Sequence, residues 1–291
     1  MAKILVTGGT GLVGRRLTTL LTEKNHEVRI LSRNPKDKNE FKWDVSKGFV
    51  DDKAIENIDY IIHLAGAGIA DKRWTKERKE VIVNSRVATA NLIFDKIKTQ
   101  NIPLKGFISA SGSNYYGAQT TAKVFKESDA VGTDFLGQVC LRWEAAANQF
   151  KDLNIPVTIL RTGVVLSKTG GALEKMRTPI VSPLGSGNQY LAWIHIDDLC
   201  NLYIKAVEED FEGVYNTVSP ESHTNRTFSK TLAKAIKRPY LPIVVPGFLL
   251  KLVFGELAII LLEGSRLSSG KIEKKGFVFK YIELKRALES L

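Results

Sequence analysis

The stretch Lys3-Ile4-Leu5-Val6-Thr7-Gly8-Gly9-Thr10-Gly11-Leu12-Val13-Gly14 decides the fold. Ile4, Leu5 and Val6 form an apolar run too short for a helix and predict a strand buried in a parallel sheet. Glycines recur at 8, 11 and 14, and helical spacing opens at once with Leu12, Val13, Leu17, Leu20 and Leu21. A strand, a glycine turn and a helix in direct succession form the context of a dinucleotide fingerprint. Gly8 permits the tight turn, Gly11 lets a pyrophosphate approach the backbone, and Gly14 lets the helix pack close to the strand. The helix N-terminus offers free N–H groups and a partial positive charge to the phosphates.

Outward from that turn, strands and helices alternate. Residues 27–32 predict the second strand, ended by Arg33-Asn34-Pro35. Residues 41–44 predict a short third strand, and 59–64 a fourth that runs into Ala65-Gly66-Ala67-Gly68. Residues 76–98 predict a long helix with Val81, Val87, Ala88, Leu92 and Ile93 towards the sheet. A fifth strand is expected over 104–110, a helix over 135–153 and a sixth strand over 156–161. Such alternation implies an α/β fold, a Rossmann-like doubly wound parallel sheet with helices on both faces. Beyond Leu166 the segments shorten, which predicts a smaller C-terminal substrate lobe. The expected division is a nucleotide-binding domain over 1–165, rejoined by about 189–215 through a helix at 196–207. The C-terminal lobe takes 216–291, with 166–188 inserted into it.

The composition narrows the class. Of 291 residues, 44% are hydrophobic, enough for a real core. Two cysteines, Cys140 and Cys200, cannot build a disulfide framework and predict free thiols in a reducing, cytoplasmic setting. No leader is expected ahead of the first strand. The net charge of +11 raises nucleic acid as a partner, but the basic residues are spread out and interleaved with acids. The surface is therefore expected to suit anionic small molecules rather than nucleic acid. Residues 241–262 are the most apolar stretch, yet Pro242, Pro246, Lys251 and Glu256 interrupt it. It predicts no membrane span but a buried or substrate-facing helix. Four scattered histidines indicate no metal site.

Cofactor choice is read at the end of the second strand. An NAD enzyme of this fold carries Asp or Glu there, to hold the ribose 2′-hydroxyl. This chain has Ser32 and Arg33. A guanidinium matches a 2′-phosphate with paired hydrogen bonds, which favours NADP(H).

The Gly-x-x-Gly-x-x-Gly spacing behind Thr7 resembles the short-chain dehydrogenase/reductase superfamily in its extended, epimerase-like form. Further stretches narrow the resemblance: Ala70-Asp71-Lys72-Arg73-Trp74-Thr75, Asp134-Phe135-Leu136 with Trp143-Glu144-Ala145-Ala146-Ala147, Gly255-Glu256-Leu257, Leu261-Leu262-Glu263-Gly264 and Gly276-Phe277-Val278-Phe279. Together they look like the atypical epimerase/dehydratase-like family. That family ends in a C-terminal domain of unknown function, and its bacterial members are sometimes labelled cell-division-inhibitor-like. The resemblance implies cofactor contacts from Gly8, Thr10, Gly11, Leu12, Val13, Gly14, Arg33, Leu64, Ala65 and Gly66. It also implies an acid near the adenine at Asp44, which by itself reads equally as a turn residue, and a polar group at Ser85, or its neighbour Asn84, where extended relatives carry asparagine.

The superfamily's usual chemistry uses a Tyr-x-x-x-Lys pair in which tyrosine transfers a proton and lysine lowers its pKa. Alignment on Glu144 puts Leu136 and Cys140 at those positions, and neither can serve. Tyr281-x-x-x-Lys285 is the chain's only such spacing and lies outside the nucleotide lobe. The catalytic candidates are therefore Tyr116, Ser111 and Ser113, which follow the fifth strand; Tyr115 stands beside them, as an acid or a packing aromatic. His195 is expected to be structural. The reading is an NADP-dependent oxidoreductase or epimerase-like enzyme on a small polar substrate, its oligomeric state left open. The alternative is a non-catalytic NADP-binding regulator.

Overall fold

The computed structural model describes residues 1–291. Eight strands form the main sheet: β1 Lys3–Thr7, β2 Glu27–Ser32, β3 Glu40–Asp44, β4 Phe49–Val50, β5 Tyr60–His63, β6 Gly106–Gly112, β7 Val157–Thr162 and β8 Gly213–Thr217. Their spatial order is β8-β7-β6-β5-β1-β2-β3-β4. All pairs are parallel except β3 with β4. The order reverses beside β1, between β2 and β5, which opens the crevice where open α/β sheets bind ligands.

The strands read as near-continuous apolar runs because both faces are covered. Alternate side chains of β1 enter opposite cores: Ile4 and Val6 join Leu17, Leu21, Leu199 and Tyr203 on one face. Leu5 joins Ile93, Ile97, Phe107 and Phe150 on the other. The first face is covered by α1, Leu12–Glu23, and by a helix that returns from the second half, α4, Ile196–Glu208. Arg16 on α1 holds Asp197 on α4 at 2.7 Å. The second face carries α2, Lys76–Gln100, and α3, Phe135–Asn148. Helix α3 ends in a 3-10 turn at Gln149–Leu153, where the sequence predicts continuous helix.

The buried stripe of α2 is Ile82, Arg86, Thr89, Ala90, Ile93 and Ile97. Of the five residues expected to face the sheet only Ile93 belongs to it, and Val81 is exposed. The helix is rotated by about one position, so that Ile82, Ile93 and Ile97 enter the cores and Arg86 comes to lie on the inward face.

The smaller lobe has its own core. Leu166, Leu173 and Trp193 from the middle of the chain pack on α5, Asn225–Ala235, and on the C-terminal turns through Leu284 and Leu288. Three small strand pairs tie this half to the rest: Val164–Leu166 with Trp193–His195, Tyr190–Leu191 with His223–Thr224, and Val124–Phe125 with Arg266–Leu267. The apolar stretch 241–262 is not one buried helix. It forms α6, Gly247–Phe254, then turns at Gly255, whose positive φ of 62° suits glycine because it carries no Cβ penalty. Phe248 and Leu252 on α6 are 69% and 75% exposed, whereas Leu257 beyond the turn is buried against Trp74, Ile82, Leu136 and Val139. No helix is long and apolar enough to cross a membrane.

Candidate functional site

The Gly8–Gly14 turn lies at the C-terminal end of β1. Gly8 adopts φ 68°, and a Cβ there would meet the backbone of Leu64 at 2.9 Å. A Cβ on Gly14 would lie 2.2 Å from the Gly8 carbonyl oxygen. Both positions exclude every other residue. The Gly11 N–H closes the turn on the Gly8 carbonyl at 2.9 Å, and Gly11 is the N-cap of α1 without any side-chain cap. The first N–H groups of α1 are thus left for a ligand, beside Thr10, Leu12 and Val13. This bare cradle fits a dinucleotide diphosphate.

Thr7 joins the ends of β1 and β5, its hydroxyl accepting from the Ala65 N–H at 3.1 Å. Leu64, Ala65 and Gly66 then pass along the crevice. Ser85 on α2 accepts from the Ala67 N–H at 2.9 Å and donates to the Ile82 carbonyl at 3.1 Å, which fixes the chain leaving β5. Arg33 is exposed at the end of β2, and its carbonyl accepts from Lys42 Nζ. Asp44 ends β3 and caps the following turn. It accepts from the Ser46 N–H at 3.1 Å and the Ser46 hydroxyl at 2.7 Å, contacts that hold its carboxyl below the ordinary range.

At the end of β6 the catalytic candidates separate. Tyr116 is fully buried, a position that keeps it from meeting a substrate. Its hydroxyl donates to Asn216 Oδ1 at 2.7 Å and accepts from Arg161 Nη1 at 2.9 Å. Burial, against the pull of Arg161, pushes its pKa up to about 12. Ser111 is also buried and donates to Glu144 at 2.7 Å. Both belong to a polar network under the sheet edge, in which Glu144 clamps Arg161 through two contacts of 2.8 Å. Ser113 is half-buried and its hydroxyl has no partner in the chain; Tyr115 is half-buried with its ring over the Arg161 guanidinium. Leu136 and Cys140 are buried on α3. Burial and Glu144 raise the Cys140 thiol to about 11, so it stays protonated. His195 caps α4 through the Asp197 N–H and stacks on Tyr281, a structural role that also occupies Tyr281.

Four inward polar residues next to these candidates carry no signal taken up above: Arg161 and Asn216 of the buried network, His63 at the end of β5 and Arg86 on α2. The signal for Arg86 was its place in the 82-86-90-93-97 stripe, a cation at helical spacing among apolar residues.

Known proteins share this architecture. The NAD dependent epimerase/dehydratase family matches residues 4–218, and a domain of unknown function (DUF1731) matches 245–291. An epimerase family protein of Staphylococcus aureus is 34% identical over the whole chain and 99% of its own length; one of Staphylococcus epidermidis is 32% identical over the same shares. The crystal structure of human epimerase family protein SDR39U1 (isoform 2) with NADPH superposes with a TM-score of 0.89 at 33% identity, covering 99% of this chain and 98% of that one. Thermus thermophilus UDP-glucose 4-epimerase in complex with NAD, at 17% identity and a TM-score of 0.77 over 99% and 96% of the two chains, shares the fold. The glycine cradle and these full-length matches together place the chain in the NAD dependent epimerase/dehydratase family, with a DUF1731 region at its C-terminus.

Proposed function

We propose that this protein binds NADP(H) in the Gly8–Gly14 cradle and acts as an oxidoreductase or epimerase-like enzyme on a small polar substrate in the cytoplasm. The observation that carries the cofactor choice is the end of β2, where exposed Arg33 stands in the place of the acid that would hold a 2′-hydroxyl. The human relative crystallised with NADPH supports the same choice. When bound, the cofactor supplies a hydride donor or acceptor. The chain's own residues orient it: the turn and the N-terminus of α1 hold the diphosphate, and Leu64, Ala65, Gly66 and Ser85 line its path along the sheet edge. The lobe formed by 216–291 with the inserted 166–188 closes over the substrate.

Among the candidates for proton transfer, Ser113 and Tyr115 remain partly exposed after the end of β6, whereas Ser111 and Tyr116 are buried in the network of Glu144, Arg161 and Asn216. The test follows NADPH absorbance against a library of polar carbonyl compounds. Once a substrate is found, Ser113→Ala and Tyr115→Phe should each be compared with Tyr116→Phe. Loss of a positioned acid costs about 10²–10⁴-fold in rate. A loss of that size in either of the first two, with turnover kept in folded Tyr116→Phe, is the expected outcome. Full activity in both Ser113→Ala and Tyr115→Phe would move the chemistry elsewhere. A regulatory, non-catalytic role is favoured by one observation, Leu136 and Cys140 at the places of the usual pair. Tight NADPH binding with no turnover across the library would select it.

A further inference from the structure

Two arginines are more than nine-tenths buried, Arg86 and Arg161. They are treated differently. Arg161 is neutralised by the Glu144 carboxylate. Arg86 has no acid beside it: its ionisable neighbours are the Cys140 thiol, the His63 ring and the Arg78 guanidinium. The thiol and the ring are both neutral at pH 7.

The hydrogen bonds of Arg86 go to uncharged groups. Nη1 donates to the Ile82 carbonyl at 2.8 Å and Nη2 to the Ala67 carbonyl at 3.1 Å. Nε has no partner. One face of the guanidinium lies over the Trp143 ring, 4.9 Å from its centroid. Gly66 is where the position becomes informative. A Cβ there would lie 3.0 Å from the guanidinium carbon, so the charge sits directly against the backbone that leaves β5 along the ligand crevice. Carbonyl dipoles and a π face offset part of the cost of burying a charge, but an uncompensated ion remains strongly destabilising. A fold that keeps such a cation at its ligand edge gains if the ligand brings the missing negative charge.

We propose that Arg86 is the anion-binding group of the substrate pocket, and that the substrate carries an ionised carboxylate or phosphate that docks at Gly66 and Ala67. The inference rests on the crevice assigned above and narrows its substrate to anions. A planar guanidinium favours such oxygens in paired geometry, and lysine does not reproduce it.

The test uses two probes, oxalate and inorganic phosphate, titrated at constant ionic strength into the protein with and without NADPH. Calorimetry reads affinity, and the ¹⁵Nε signal of Arg86 reads contact in the wild type. The expected result is saturable binding of one probe with displacement of the Arg86 signal. Arg86→Lys should weaken that binding by about tenfold or more while NADPH affinity moves by less than about threefold. Oxalate binding alone identifies a carboxylate substrate, phosphate binding alone a phosphorylated one. If neither probe binds or shifts the signal, or if Arg86→Lys binds them as well as the wild type, the proposal is overturned. It is likewise overturned if Arg86→Lys loses NADPH affinity and the probes have no effect, because the charge then serves the cofactor. Failure of NADPH to bind would sink the functional reading alone, since the probe titrations without cofactor still decide the role of Arg86.

Discussion

His63, the last residue of β5, is fully enclosed between Phe107, Trp143 and Thr89. Trp143 Nε1 donates to its Nδ1 at 3.3 Å, so the proton of the neutral ring sits on Nε2 and points to the Thr89 hydroxyl at 3.0 Å. Burial, with Arg86 nearby, lowers its pKa from 6.5 to about 3. A folded pKa below the unfolded one means that the unfolded chain takes up a proton first as pH falls. Stability is therefore flat above about 6.5 and declines below it, by about 1.4 kcal/mol per pH unit for this one ring down to its folded pKa. His195, lowered to about 4 by burial, acts in the same direction. Urea unfolding at pH 7.5 and pH 5.0 should show the protein less stable at pH 5.0 by at least about 2 kcal/mol. Equal stability at the two pH values would contradict this account of the buried rings.

At the scale of elements, α6 and the turn after it present two leucines five positions apart in opposite environments. Leu252 is exposed on α6, and Leu257 fills the contact between the C-terminal region and helices α2 and α3. Leu257→Ala should cost about 2–5 kcal/mol, whereas Leu252→Ser should stay within about 0.5 kcal/mol. Denaturation midpoints compare them, and a Leu252→Ser loss as large as that of Leu257→Ala would show that α6 is covered in solution. The sequence made six of the eight strands legible, most clearly where a short apolar run lies between turn signals, and β2 at Glu27–Ser32 has the expected bounds; the short edge strand β4 and the polar outer strand β8, Gly213–Thr217, carry no such run and were not anticipated. It also made the glycine turn legible, because a missing Cβ at Gly8 and Gly14 has one steric reason. It misjudged α2, where counting apolar residues passed over Arg86 and turned the helix to the wrong face. For the 241–262 stretch only the buried alternative fails, because hydrophobicity alone does not tell a covered face from an open one. The catalytic candidates were legible only as a place in the chain. Which of Ser111, Ser113, Tyr115 and Tyr116 is buried depends on the Glu144–Arg161–Asn216 network, assembled from three distant segments.

The whole molecule joins a Rossmann-like sheet to a smaller lobe across the crevice. Polar contacts tie the C-terminal region to the segment around α2, Lys79 with Glu256 at 2.6 Å and Arg73 with the Leu252 carbonyl at 2.9 Å. The sheet carries the glycine cradle, and on the proposed function the end of β2 sets the cofactor preference and the lobe covers the substrate. An overall charge of +11 suits a ligand with several phosphates. The central claim is that this assembly takes NADP(H) through Arg33, and it is tested by titrating NADPH and NADH in parallel into the wild type and Arg33→Asp. The wild type should bind NADPH more tightly than NADH by about tenfold or more, as a charge-assisted phosphate contact allows. Arg33→Asp should erase or reverse the preference while the protein stays folded. Equal affinity of the wild type for the two nucleotides, or a preference for NADH, would contradict it.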